Sequence, residues 1–271
     1  MPSYLEISPD KLNRILGTPS APVLVDVRTD EDFALDPRLV PGSIRRNHTD
    51  VSAWSGDTVG PAIIVCQRGR KLSHGVAAYL RHEGVEAEVL EGGFEAWARS
   101  SGIAVPAEKL PPRDDKGRTV WVTRSRPKID RIACPWLIRR FVDPAAMFLF
   151  VPAADVSLVA EKFNATPFDV EGVFWSHRGE LCTFDVMVEE FGIASEPMNR
   201  LATIVRGADT DRSDLAPEVA GLLAASLGLS RMFNDDLQQL DAGMLLYDAF
   251  YRWCRDATGE THNWPASKAG Q

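Results

Sequence analysis

The chain has 271 residues and a formal net charge of −8, with 45% apolar and 25% charged side chains. That is the composition of a globular protein long enough for two domains, and no stretch approaches the roughly 18 apolar residues a membrane helix needs. Four widely spaced cysteines (Cys66, Cys134, Cys182 and Cys254) form no CxxC pair and no disulfide framework. Met1-Pro2-Ser3-Tyr4-Leu5-Glu6 lacks a basic region followed by an apolar one, so a reducing, cytoplasmic setting is the expectation. Charge is unevenly spread: residues 118–140 hold seven basic side chains and one acidic one, Asp130, inside an otherwise acidic second half.

In chain order, Ser8-Pro9-Asp10-Lys11-Leu12 has the pattern of a helix start. Ser8 offers its hydroxyl to free amides, Pro9 suits the first turn, and Ile7 can pack onto Leu12. Leu12, Ile15 and Leu16 form the apolar stripe, and Gly17 stops the helix. Val23-Leu24-Val25-Asp26-Val27 is an apolar run broken by one carboxylate, as in a parallel strand covered on both faces. Thr29 can cap a short helix through Glu31 and Phe33, and Pro41-Gly42-Ser43-Ile44 turns into another extended piece. Ile63-Ile64-Val65 is the next strand and delivers Cys66 into Gln67-Arg68-Gly69-Arg70-Lys71. Leu72, Val76, Tyr79 and Leu80 then repeat at helical spacing as far as Gly84. A strand over 85–90, the turn Glu91-Gly92-Gly93 and a short helix Phe94-Glu95-Ala96-Trp97 follow. The alternation predicts a small α/β domain with a mostly parallel sheet, Cys66 lying on its carboxyl edge.

A cysteine at that position faces loop amides and a helix N-terminus, and both favour negative charge. Arg68, Arg70 and Lys71 act in the same direction, so a thiolate at Cys66 is expected in preference to an inert core thiol. VLVDVRTDEDF, VPGSI, CQRGRK and LEGGFEAW, in that order and spacing, resemble the rhodanese domain over roughly residues 4–105. The resemblance implies a sulfurtransferase. Cys66 would carry a persulfide from a small anionic donor such as thiosulfate to a thiol acceptor, with Gln67, Arg68, Gly69, Arg70 and Lys71 around the sulfur and no cofactor required. The family often closes this loop with Arg; here Lys71 follows Arg70, which leaves open which cation meets the donor. Phosphatases and arsenate reductases on the same fold carry a loop one residue longer, closed by Arg six positions after the cysteine. Leu72 holds that position here, which favours sulfur transfer. Asp26 and Arg28 resemble the family's Asp-x-Arg pair, whose role is mainly structural, and His48 and His74 read as solvated side chains.

Pro106, Pro111, Pro112 and Arg113-Asp114-Asp115-Lys116 predict a linker over 106–118, between a domain at 1–105 and another at 119–271. Thr119 to Thr123 reads as a strand, Ile129 to Phe141 as a helix, Met147 to Val151 as a strand and Ala154 to Phe163 as a helix. Phe168-Asp169-Val170 reads as a third extended piece. Beyond Thr183 the pattern is helical over roughly 183–191, 196–207, 216–228 and 235–256, which makes the second domain mixed α/β and mainly helical. TRSRPKIDRIACPWLIRRF, DVEGVFWSHRGELCTFD, IVRGADTD and LAPEVAGLLAASLGLSRMF resemble the C-terminal domain of the chromate-resistance protein B family over about residues 119–256. That resemblance implies a link to chromate or oxidative stress and leaves the domain's own activity open.

Two groups in this half could carry chemistry. Arg124, Arg126, Lys128 and Arg131 could bind a dianion such as chromate or sulfate, or could pair with the acidic remainder. Glu171, His177, Cys182 and Asp209, with Glu180, Asp185 and Asp211 near them in sequence, are ligand types for zinc or iron, although His177 also fits a polar turn. Cys182 precedes a helix and is a candidate second thiol of lowered pKa, able to accept sulfur from Cys66. Cys134 and Cys254 lie in helical patterns and are expected in the core. The leading expectation is therefore a rhodanese-type sulfurtransferase linked to chromate or oxidative-stress resistance through its second domain. An oxyanion- or redox-responsive regulator and a metal-binding enzyme in the second domain are the alternatives. The acidic balance of the second half and the lack of a helix-turn-helix pattern count against nucleic acid, and no membrane partner is expected.

Overall fold

The computed structural model describes residues 5–100 and 102–261; Met1–Tyr4, read above for a leader, lie outside these. The N-terminal unit runs β1 (Glu6–Ile7), α1 (Pro9–Ile15), β2 (Val23–Asp26), α2 (Asp30–Leu35), β3 (Arg38–Leu39), β4 (Ser43–Arg45), α3 (Val51–Trp54), β5 (Ala62–Val65), α4 (Lys71–His82), β6 (Ala87–Leu90) and α5 (Gly93–Ser100). Its sheet has the order β1-β6-β5-β2-β4, and every pairing in it is parallel. The helix starts follow the sequence: Ser8 Oγ accepts the Lys11 N–H at 3.3 Å and Thr29 Oγ1 accepts that of Asp32 at 3.1 Å. Strand alternation then sorts the core. Ile63 and Val65 of β5 join Leu12, Leu16, Phe94 and Trp97 on one face of the sheet. Ala62, Ile64 and Cys66 join Val76, Ala77 and Leu80 of α4 on the other.

The chain continues through β7 (Val105–Pro106), which pairs antiparallel with β3, into the C-terminal unit. That unit contains β8 (Val120–Arg124), α6 (Asp130–Leu137), extended by a π turn at Ile138–Val142, β9 (Met147–Val151), α7 (Val156–Phe163), β10 (Thr166–Pro167), α8 (Thr183–Glu190), α9 (Glu196–Asp209), α10 (Val219–Met232) and α11 (Asp236–Asp256). The three strands form a parallel sheet of order β10-β8-β9. Here too β8 alternates: Trp121 enters the helical core beside Trp136, Phe168, Phe184 and Tyr247, while Val120 and Val122 meet Val156 of α7. The extended piece expected over 168–170 stops short, because Asp169 takes a left-handed backbone (φ +51) and turns the chain off the sheet. Ile129 likewise has φ +43, so α6 starts at Asp130.

Residues 106–118, read as the linker, are themselves tied down. Lys109 Nζ reaches Glu190 of α8 at 2.6 Å, Arg113 reaches Asp143 at 3.2 Å, and Leu110 packs on the C-terminal core. The two units also meet directly. The Gly42 N–H donates to the Phe141 carbonyl at 2.6 Å, and the Phe141 ring lies where a Cβ on Gly17 would be, 2.2 Å from its nearest carbon. Among the described residues no helix is long and apolar enough to cross a membrane.

Candidate functional site

Cys66 follows β5 directly at the carboxyl edge of the parallel sheet, and only 4% of the residue is exposed. Its Sγ accepts the Arg70 N–H at 3.3 Å and lies 3.1 Å from Oγ of Ser73. Arg70 is the N-cap of α4, and no capping side chain serves that terminus. The sulfur takes up an amide left free at the start of the helix. The turn before α5 grips the loop from the far side: the Cys66 carbonyl accepts the Phe94 N–H at 2.9 Å and the Gln67 carbonyl that of Glu95 at 3.1 Å. Gly69 and Gly93 both have φ +62 and lie against each other. A Cβ on Gly93 would stand 2.2 Å from the Cys66 carbonyl oxygen, and one on Gly69 2.5 Å from that of Leu90. The loop around the sulfur and the Gly-Gly turn are one interlocked piece of backbone.

The cations around it divide by role. Arg68 binds Glu95 at 3.1 Å, Gln67 binds the same carboxylate at 3.2 Å, and the Arg68 bond holds the Glu95 carboxyl below its usual range. Arg70 and Lys71 are exposed and make no ion pair among the described residues, which leaves both open to an incoming anion. Asp26 and Arg28 are a fully buried pair at 2.6 Å. Arg28 also donates to the carbonyls of Asp36 (3.0 Å) and Arg38 (2.5 Å) and stacks 3.9 Å over the Phe94 ring of α5, so it braces the sheet edge. His74 turns to Glu6 at 3.2 Å, and His48 lies in a short turn before α3.

In the C-terminal unit the basic stretch does not form one patch. Arg124 and Arg131 both bind Asp169, at 3.1 and 3.3 Å. Arg126 is turned the other way, its amide on Asp236 and its guanidinium on the carbonyls of Ser230 and Phe233. Lys128 is exposed, while Arg139 and Arg140 pair with Asp241 and Asp248 of α11. The island of positive charge is largely neutralised within the domain.

The expected metal residues are partly reassembled. His177 and Asp209 come together, Nε2 to Oδ2 at 3.2 Å, and they are joined by Asp130 and Asp169, each 3.5 Å from the same nitrogen. Glu171 is exposed on the wall of the open pocket beside them, which His177, Asp169 and Arg124 also line. Cys182 is fully buried and is not one of the close-set ligand atoms of Asp130, His177 and Asp209. The expectation of a lowered Cys182 pKa fails. Burial and the Asp130 carboxyl push its thiol well up, despite its place at the start of α8, so it is a neutral core thiol and a poor recipient of sulfur. Cys134 is likewise pushed up by burial, and Cys254 to about 11, as suits core cysteines. Asp130 and Asp169 are not among the ligands expected from the sequence. The one sequence signal was Asp130 itself, a single acid among seven bases.

Residues 8–100 match the rhodanese-like domain family and residues 121–254 match the ChrB C-terminal domain family. Protein ChrB of Cupriavidus metallidurans is 34% identical over 152 residues, which is 55% of this chain and 45% of that protein. The chain thus matches somewhat less than half the length of that relative. Among solved structures, a rhodanese-like domain protein from Staphylococcus aureus is 30% identical, covering 34% of this chain and 89% of that one with a TM-score of 0.31. A rhodanese homolog from Thermus thermophilus is 29% identical, covering 34% and 98% with a TM-score of 0.28. This chain therefore joins a rhodanese-like domain to a ChrB C-terminal domain.

Proposed function

We propose that the chain is a sulfurtransferase of the rhodanese type, with Cys66 as nucleophile and persulfide carrier, acting in resistance to chromate or oxidative stress. The observation that carries this reading is the setting of Sγ: it takes a helix-start amide in a loop locked by Gly69 and Gly93, and Arg70 and Lys71 of the same segment are exposed and make no ion pair among the described residues. An amide and a hydroxyl held at one sulfur suit a persulfide, a large anion that is stabilised by fixed donors and needs no general base.

In the first half-reaction the Cys66 thiolate attacks the outer sulfur of thiosulfate. A new S–S bond forms, the old one breaks, and sulfite leaves with the electron pair. Arg70 and Lys71 face the negative charge on donor and leaving group. In the second, an acceptor thiolate attacks the outer sulfur of the persulfide, and Cys66 departs as thiolate, ready for the next turn. Asp26 and Arg28 hold the sheet edge. The stress link rests on the C-terminal domain's likeness to ChrB. Exposing cells that lack the chain to chromate, with and without Cys66→Ala in trans, tests whether the sulfur chemistry serves that role.

The direct test is intact-mass measurement after thiosulfate. One added sulfur atom, removed by cyanide or reductant and absent from Cys66→Ala, is the expected result. Full transfer by Cys66→Ala would overturn the assignment.

A further inference from the structure

We propose that Asp130, His177 and Asp209, with Asp169 beside them, bind one divalent first-row metal ion in the C-terminal domain. This goes beyond the sulfur chemistry and does not depend on it. Four separate segments deliver the residues: the first position of α6, the turn after β10, the loop ahead of α8 and the last position of α9. They converge beyond the carboxyl edge of the β10-β8-β9 sheet, where parallel sheets place their ligands.

The distances suit ligands around a cation better than a hydrogen-bonded cluster. Nε2 of His177 lies 3.2 Å from Asp209 Oδ2, 3.5 Å from Asp130 Oδ2 and 3.5 Å from Asp169 Oδ1. One ring N–H can serve one of these oxygens well, not three. Ligands bound tetrahedrally at about 2.0–2.1 Å stand about 3.3–3.4 Å apart along each edge, close to the separations here. One imidazole nitrogen facing three carboxylates is an arrangement that a metal ion makes favourable.

The second observation is the state of Asp130. Its side chain is entirely buried; Oδ2 accepts the Thr183 N–H at 2.6 Å, but among the described residues no hydrogen bond reaches Oδ1. A buried carboxylate left half unpartnered is costly. The local cations do not relieve it, since Arg124 and Arg131 both lie on Asp169. A divalent ion bound at this carboxylate would give Asp130 a partner and offset the charges of Asp130 and Asp209 at once. His177 is 40% exposed and lines the open pocket with Asp169 and Arg124, so the ion has an entry path and a coordination position facing solvent. One imidazole with carboxylates suits manganese, iron or zinc in their divalent states.

The test uses the full chain, stripped with chelator and then dialysed against Mn(II) or Zn(II), with metal counted by elemental analysis and Mn(II) also followed by electron paramagnetic resonance. One ion per chain is expected, with affinity reduced at least about 100-fold in His177→Ala and Asp209→Asn. Glu171→Gln, on the pocket wall, keeps it. Asp130→Asn is read only if its circular dichroism matches the parent, and the other two variants carry the test if it does not. Absence of stoichiometric binding of both metals at micromolar concentration would overturn the site. So would binding that survives both His177→Ala and Asp209→Asn.

Discussion

Gly93→Ala is the sharpest test of the interlocked loop. At φ +62 an L-residue costs about 1–2 kcal/mol, whatever surrounds it. The new Cβ would also stand 2.2 Å from the Cys66 oxygen, 2.4 Å from the Gly69 nitrogen and 2.8 Å from that of Arg68. Ordinary contact begins at 3.4 Å, so the nearest atom is more than an ångström too close, and all three belong to backbone that no rotamer change can move. Crowding of this kind adds about 1–3 kcal/mol, for a total loss of about 2–5 kcal/mol. The shift falls on the segment that carries Sγ, and a misplacement near 1 Å costs about 100-fold in rate. Two other glycines calibrate the effect. Gly84 has φ +86 and open space around its Cβ position, so Gly84→Ala carries the backbone cost alone. Gly75, in α4 with open space and no positive φ, should gain about 0.5–1 kcal/mol on substitution by Ala. Urea unfolding and initial rates of sulfite release from thiosulfate are the assays. If Gly93→Ala unfolds with Gly84→Ala and transfers sulfur at the parent rate, the interlock does not exist in the sense argued.

Three further outcomes are expected. Asp26→Asn leaves Arg28 charged and buried, which should cost about 3–5 kcal/mol in the same unfolding assay; a loss below about 1 kcal/mol would show that the carbonyls of Asp36 and Arg38 suffice. Ser73→Ala removes a hydroxyl 3.1 Å from the sulfur and 3.0 Å from the Arg70 carbonyl, so kcat for transfer should fall about tenfold with KM for thiosulfate unchanged, and an unchanged kcat would remove Ser73 from the site. Glu190, with a carboxyl held below its usual 4.5 by Lys109 and then Arg178, contributes fully above that pH and loses its contribution as pH falls through the depressed value. Glu190→Gln should therefore cost about 1 kcal/mol at pH 7 and progressively less below pH 4.5, and a difference that grows on acidification would refute this sign.

The two halves differed in how much of their chemistry could be read beforehand. In the first, the candidate nucleophile Cys66, its loop and the Gly-Gly turn are each written in a few consecutive residues, because a loop that wraps one sulfur is local by construction. Ser8, Thr29, Gly69 and Gly93 each do at the backbone what their residue type permits. The strand run Ile63-Ile64-Val65 even fixes which face Cys66 takes, since alternation leaves no choice. In the second half the helix spans were legible from periodicity, but the polar cluster was not. Asp130, Asp169, His177 and Asp209 fall on no common period, and what singles out Asp130 is burial, which depends on helices more than 50 residues away. Cys182 misled for the same reason. Its position at a helix start argues for a lowered pKa, and the closure of the core around it reverses the sign.

A common topology with opposite electrostatics connects the two sites. Each lies where a central parallel strand runs out and a helix begins: β5 into α4 at Cys66, β8 into α6 at Asp130. In the first, the residue at the edge is a sulfur that uses a free helix-start amide, and the side chains nearby are the cations Arg68, Arg70 and Lys71. That edge gathers donors and positive charge and suits an anion. In the second, the helix starts with a carboxylate, and the other segments add two more carboxylates and an imidazole, while the nearest arginines are taken up by Asp169. That edge gathers acceptors and negative charge and suits a cation. Fold position alone thus marks the edge of each unit where a ligand is expected, and the charge of the side chains brought there marks its expected sign.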